Sequence, residues 1–536
     1  MASRLRALVA ALALVGGQVL AVGVLTPVAA AAPAGARFFT ASLTGPAETP
    51  PVATSANGSA SFVIATDARS IDYAVSYAGL SGPPIASHIH LGAVGVPGPI
   101  ILPLTIAPGD GSSGSFFGRL TAANLDMTAG ITSFADAVAA IRAGMTYVNI
   151  HTAANPHGEI RGQLVAASHQ PSFVVTADRP FAVPAGHNWS FNDYFPRSST
   201  VTVGTTVAFE NMGFHTFTFL PKSISVKADR HANGVARSDA DDVTANTNGT
   251  SHTIFNVAGL LPSPMTCGSL ANPCTFDGSS VVSGGAPLGG PTGPFAVTFT
   301  ASPGTYLFHC RVHPFMVGTI RIVPARASGL TTDASAEASA ARQASALVTA
   351  GFAAEARATQ FAMAHDRAHV KVVVAGTSGA GGHVSIQEFL PKAVSLVSGD
   401  EVVWKPLDVN EPHTVTFPGE LFSDLVPYCA NDVPATPAHI PPQGPTDFTC
   451  PGGAPIYEIE FGGGNGVRTI TTPSTVADSG IIGRVPTLPF ALGLPRTAIL
   501  GAWSATFDPT SGTSRPVTFT YVCQIHEGMM GTVTVP

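Results

Sequence analysis

Most of this chain is written in short alternating runs of apolar and polar residues. Ser59-Ala60-Ser61-Phe62-Val63-Ile64 and Ser70-Ile71-Asp72-Tyr73-Ala74-Val75-Ser76-Tyr77 have the two-residue period of half-buried strands. His215-Thr216-Phe217-Thr218-Phe219 and His413-Thr414-Val415-Thr416-Phe417 repeat that period further along, each opening on a His. One stretch breaks the pattern. Residues 326–368 are Ala-rich and lack Pro, with Glu337, Arg342, Glu355, Arg357 and Asp366 interspersed. That reads as one or two linking helices, or as a flexible linker.

A chain of 536 residues calls for several domains. Only 11% of residues are charged, while Gly (56) and Pro (45) are abundant. This favours turn-rich β-domains over helical bundles, so the expected class is all-β. The net charge of −7 is spread out, and no basic run suggests nucleic acid.

Residues 1–31 read as a Sec-type signal peptide. Arg4 and Arg6 precede a largely apolar stretch from Ala7 to Val28, and Ala29-Ala30-Ala31 offers a cleavage site. A membrane anchor is the other reading, although Gly16, Gly17, Gln18 and Pro27 interrupt the apolar run. No second apolar span follows, so the mature chain is expected to be exported with no membrane span. Export would oxidise spare cysteines. Of the six cysteines, Cys267 with Cys274 and Cys429 with Cys450 form local pairs suited to disulfides.

Cys310 and Cys523 belong to a different pattern. Cys310-Arg311-Val312-His313-Pro314-Phe315-Met316 and Cys523-Gln524-Ile525-His526-Glu527-Gly528-Met529 are two copies of Cys-x2-His-x2-Met, each between strand-like runs. Each copy has an isolated upstream His, His215 or His413. One thiolate, two imidazoles and a thioether are the donor set of a blue-copper electron-transfer site. Buried Cys and Met with incidental His is the bland alternative, and duplication of the whole set weakens it. Zinc fits poorly, because Met is a poor zinc ligand.

These motifs resemble the cupredoxin family, which includes plastocyanin and amicyanin. Val201-Thr202-Val203-Gly204-Thr205-Thr206-Val207-Ala208-Phe209-Glu210-Asn211 looks like that family's strand pair before the first ligand, and Val397-Ser398-Gly399-Asp400-Glu401-Val402-Val403-Trp404 is its counterpart. The resemblance implies Greek-key β-sandwiches at 168–325 and 369–536, with copper at His215, Cys310, His313 and Met316, and at His413, Cys523, His526 and Met529. Alignment with Met316 favours Met529 over the adjacent Met530. The chain between first His and Cys is long in both copies, so each domain carries an insertion that would shield copper or shape a partner surface.

Residues 37–166 resemble the chordin-type (CHRD) domain. Glu48-Thr49-Pro50-Pro51-Val52, Ser87-His88-Ile89-His90-Leu91-Gly92, Tyr147-Val148-Asn149-Ile150-His151-Thr152 and His157-Gly158-Glu159-Ile160-Arg161-Gly162-Gln163-Leu164 carry the likeness. It implies a β-barrel or sandwich and says little about function. His88 and His90 share one strand face. With His151 they would hold copper or zinc, or form a structural hydrogen-bonded set.

Electron transfer by two type 1 coppers is the expected function, with an unknown redox partner. A nitrite-reductase-like enzyme, with a type 2 copper using His309 beside Cys310, is one alternative. A non-redox copper storage or delivery protein is the other. Multicopper oxidases resemble the chain less, since His-Cys-His is absent. His309 is expected to point away from Cys310, on the opposite strand face, and to hold no catalytic copper.

Overall fold

A computed structural model describes Ala32 and residues 35–536, except 107–110, 234–235, 238–250, 256–266, 287–293, 420–424, 429–455, 462–465, 485–498, 511–513 and 527. The expected signal peptide and the Cys429–Cys450 pair lie outside the described residues. The described chain is all-β in class, with six sheets and few helices. None of its helices is long and apolar enough to cross a membrane.

The first sheet has nine strands and curls into a nearly closed barrel. Its order is Ile100–Leu104, Pro84–Leu91, Thr146–Thr152, Ile160–Gln163, Phe38–Thr44, Asn57–Ile64, Ile71–Ala78 and Gly114–Leu120, with Val165–Ala166 also pairing to Phe38–Thr44. Alternation works as the sequence implies: Phe62, Tyr73, Tyr77 and Phe116 turn inward and pack ring against ring. A helix, Phe134–Arg142, packs on this core. Ser133 and Asp136 cap it reciprocally, and Phe134, Ala137, Val138 and Ile141 form its buried stripe.

Two β-sandwiches follow with matching topologies. In the first, Val174–Ala177 lies parallel to Thr205–Asn211; in the second, Val370–Gly379 lies parallel to Glu401–Lys405. Facing sheets carry the strand pairs Gly304–His309 with Val317–Val323, and Val517–Val522 with Met530–Val535. Both cores are aromatic. Phe209, Phe217, Phe219 and Phe308 cluster in one, and Trp404, Phe417, Trp503 and Tyr521 in the other. The sandwiches also exchange structure. Trp189–Ser190, from the first, pairs with Val384–Leu390 of the second. The two insertions meet as well: Ser251–Phe255 pairs with Ile456–Phe461 in a shared four-stranded sheet.

The Ala-rich segment forms a single helix, Asp333–His365, opened by a Thr332–Ser335 capping box. Ala336, Ala340, Ala344, Leu347, Gly351, Ala354, Ala358 and Ala362 recur every three to four positions and are buried. Small side chains let it lie close against Val370–Gly379. Gly351 lies against the Trp189 ring, where a Cβ would stand 2.5 Å from it. The helix start also ties the barrel to the first sandwich. Asp333 pairs with Arg37 at 2.7 Å, and Glu337 with Arg179 at 2.7 Å.

Glu210 sits in this junction. It leaves the opposite face of its strand from Phe209 and accepts a hydrogen bond from Ser61 of the barrel at 3.3 Å. Burial, helped by the nearby Asp72 charge, pushes its pKa up to about 8 from an ordinary 4.5. The folded chain thus holds a proton that the unfolded chain releases. The stability this contributes is complete below pH 4.5 and is lost as pH rises towards 8. Glu210→Gln keeps an acceptor for Ser61 and removes the titration. Above pH 8 its melting temperature should exceed the parent's, and the gap should close below pH 4.5.

Candidate metal centres

Each Cys-x2-His-x2-Met loop is closed by its own backbone. Cys310 N–H donates to the Met316 carbonyl at 3.0 Å, and Met316 N–H to the His313 carbonyl at 3.2 Å. In the second loop Cys523 N–H reaches the Met529 carbonyl at 2.9 Å, and Met529 N–H the His526 carbonyl at 3.2 Å. The two loops share only their Cys, His and Met, yet close with the same pair of backbone bonds, because those bonds involve only main-chain atoms. The upstream His stands in both cases just before a short strand, Thr218–Phe219 or Thr416–Phe417, that pairs with the strand leading into the Cys loop. Thr216 N–H donates to Cys310 Sγ at 3.4 Å, and Thr414 N–H to Cys523 Sγ at 3.3 Å.

These constraints bring the donors together. In each centre the ligand atoms of His215, Cys310 and His313, or of His413, Cys523 and His526, all lie within 4.8 Å of one another. His313 Nδ1 is 3.6 Å from Cys310 Sγ and 2.9 Å from His215 Nδ1. His526 Nδ1 and His413 Nδ1 are 3.5 and 4.0 Å from Cys523 Sγ. Met316 and Met529 are buried beneath the loops, whereas Met530 is 52% exposed, which separates the two adjacent methionines. Burial opposes ionisation of both thiols. The paired imidazoles overcome it and hold Cys310 and Cys523 well below the ordinary thiol range.

The far sides of the rings are where sequence reasoning fell short. His313 Nε2 lies 2.8 Å from Glu411 Oε1, and His526 Nε2 lies 3.7 Å from Glu411 Oε2. One buried carboxylate therefore stands between the two centres. Asn192 Nδ2 donates to the same Oε1 at 3.2 Å, fixing its orientation. The ion pairs hold Glu411 well below the carboxylate range despite burial. A signal existed in the repeat itself: Glu411-Pro412-His413 stands where the first copy has Gly213-Phe214-His215. The loops also pack across the interface, with Phe315 against Gly382 and Gly528 against Asn188.

The first insertion covers the first centre. Its helix Val226–Ala232 carries Arg230, which donates to the carbonyls of Cys310 at 2.9 Å and His313 at 2.8 Å. Its neighbour Asp229 takes His309 Nε2 at 3.0 Å and Arg311 Nε at 2.8 Å. His309 Nδ1 is 3.1 Å from the Cys310 carbonyl, so both ring nitrogens are engaged within the fold. Cys267 and Cys274 of the same insertion are bridged.

Two other groups of donors converge. His88, His90 and His151 come together on the barrel, and His187 meets Glu355 and Glu388 beside the long helix. The sequence did not single out the second group, whose members are far apart in the chain.

Residues 39–164 match the family description of the CHRD domain. The barrel is a CHRD domain. No curated protein matches the chain. Among solved structures, it is similar to an oxidised Met-to-Lys mutant of amicyanin at 19% identity, over 28% of this chain and 82% of that one, with a TM-score of 0.13. A fern plastocyanin mutant aligns at 15% identity over 31% of this chain and 99% of that one, TM-score 0.13. A pseudoazurin from Sinorhizobium aligns at 15% identity over 32% and 93%, TM-score 0.14. Such scores carry no argument about the centres, which rest on their own geometry.

Gly376 exposes how tightly the second centre is built. Its φ is +72°, and a Cβ there would stand 2.0 Å from His413 Nε2. Gly376→Ala should displace the ring and destabilise the metal-free protein by about 1–3 kcal/mol through overpacking. Chemical denaturation of the metal-free chain measures this.

Proposed function

We propose that this chain is an exported copper protein that carries single electrons at two type 1 centres. The proposed organisation is a signal peptide at 1–31, the CHRD domain at 37–166, cupredoxin domains at 168–325 and 369–536, and the helical linker at 326–368. One observation carries the reading: a buried thiolate faces the Nδ1 atoms of two imidazoles, twice, above a loop that buries a Met. The donors fit copper by chemistry as well as by spacing, since soft sulfur and borderline nitrogen serve both of its oxidation states. His215, Cys310, His313 and Met316 would hold one ion, and His413, Cys523, His526 and Met529 the other. Copper bound there would supply one-electron redox chemistry. The chain's part is to keep the thiolates ionised, hold the rings by outer contacts and exclude water.

Those outer contacts favour electron transfer over the enzyme reading. A type 2 copper would need a nitrogen of His309, and Asp229 and the Cys310 carbonyl engage both. The shared carboxylate supports a further element of the reading, that the two centres exchange electrons through the His313–Glu411–His526 contact.

The purified protein should bind two coppers and show an intense thiolate-to-copper absorption band. Cys310→Ser and Cys523→Ser should each remove about half of it, because each thiolate generates its own transition. A double variant that keeps its colour contradicts the reading. Glu411→Gln should raise both reduction potentials together, by tens of millivolts, since a negative charge near an ion favours its more oxidised state. The lost stabilisation is on the order of 1 kcal/mol per centre. Potentiometric titration of the two bands decides this: a shift in one centre only, or in neither, removes the shared role of Glu411.

A further inference from the structure

The His cluster of the CHRD domain is not used by the proposed electron-transfer function. Its strands place it deliberately. Pro84–Leu91 runs antiparallel to Thr146–Thr152, with His88 opposite Asn149 and Ala86 opposite His151. His88, His90, Asn149 and His151 therefore rise from one face of two paired strands.

Hydrogen bonds settle which ring nitrogens are free. His90 Nδ1 lies 2.9 Å from the Gly98 carbonyl, and His151 Nδ1 lies 3.1 Å from the Pro156 carbonyl. A carbonyl only accepts, so both Nδ1 atoms carry the proton and both Nε2 atoms present lone pairs. This is the arrangement by which an outer carbonyl fixes the tautomer of a metal-binding His. His90 is held further by Tyr147, stacked on its ring at 4.8 Å with a 6° interplanar angle, and Arg161 packs over the Tyr147 ring, 3.4 Å from its centroid.

The free atoms converge. His151 Nε2 is 3.1 Å from His88 Nδ1 and 3.0 Å from Asn149 Oδ1. The Asn149 amide nitrogen borders Gly158 together with Glu48 Oε1, and its oxygen faces the His151 ring. His90 Nε2 is buried without a hydrogen bond, on a residue only 8% exposed. A purely structural hydrogen-bonded set fails here. One proton on His88 Nδ1 can satisfy His151, but Asn149 Oδ1, itself an acceptor, still faces the Nε2 lone pairs of His151 and His90. A cation serves all of them. Nitrogens about 3.1 Å apart also suit two ligands on one ion at about 2.0–2.1 Å.

We infer that His88, His90 and His151 bind one divalent transition-metal ion of the zinc or copper class, separate from the two Cys-containing centres. Three neutral imidazoles are the ligands, and Asn149 Oδ1 lies beside the remaining coordination space. Burial keeps the imidazoles uncharged: it lowers His90 and His151, and brings His88 down to about 4. His88 forms the part-buried rim, so the fourth position is accessible to water or a small ligand, as in three-His sites with an open position.

The test uses cobalt(II) as the probe and the full chain carrying Cys310→Ser and Cys523→Ser, which removes both thiolates. That chain should bind a cobalt ion whose visible spectrum shows ligand-field bands of nitrogen and oxygen donors. Adding His88→Ala, at the rim where folding is least at risk, should weaken binding by more than the roughly 10–100-fold that loss of an outer hydrogen-bond partner costs. His90→Gln should do the same while melting at a similar temperature without metal. Unchanged cobalt affinity in His88→Ala overturns the proposal, as does failure of the parent chain to bind cobalt. Neither result depends on the Cys-containing centres, so it leaves the electron-transfer reading where it stands.

Discussion

A single buried carboxylate between two imidazoles organises the centre of this molecule. Glu411 comes from the second sandwich, two residues before His413, and reaches His313 of the first sandwich and His526 of its own. Burying a carboxylate is costly unless charge and hydrogen bonds compensate. Here two imidazoles and the Asn192 amide do so. These partners come together where the two sandwiches meet, His313-bearing loop to His526-bearing loop. Other features serve that alignment: the Trp189–Ser190 strand that crosses between sandwiches, the long helix packed close at Gly351, and the insertions paired at Ser251–Phe255 and Ile456–Phe461.

The same logic separates the two centres. Arg230 and Asp229 of a short helix cover the first, bonding the carbonyls and the His309–Arg311 pair around its loop. The second has no Arg–Asp pair of this kind at its loop among the described residues, and Gln524 stands where the first copy has Arg311. On the proposed reading, the donor sets match while their surroundings differ. That is how a protein gives two similar copper sites different potentials, through hydrogen bonding and burial around the sulfur.

Much of this was readable in the sequence, because it depended on local spacing. Cys, His and Met three apart on a turn, alternation in the barrel strands and the Ala-rich, Pro-free composition of the linking segment all act within a few residues. What escaped depended on partners far apart in the chain. Glu411 could be noticed as a departure from the first repeat, but its partner His313 lies across an interface that spacing does not encode. The pairing of the insertions and the Asp229 contact to His309 are of the same kind. The sequence also left the His88–His90–His151 set open between structural and metal-binding roles. The metal-binding role inferred for it rests on tautomers, which are set by the Gly98 and Pro156 carbonyls that a sequence does not place.

The central claim is that two copper ions sit face to face in one chain, joined through Glu411. Electron paramagnetic resonance of the fully oxidised, copper-loaded protein tests it most directly. The account predicts type 1 signals broadened by dipolar coupling between the two ions, with the broadening lost when either Cys310 or Cys523 is replaced by Ser. Two sharp, uncoupled signals that add as the sum of the single-site variants would contradict it.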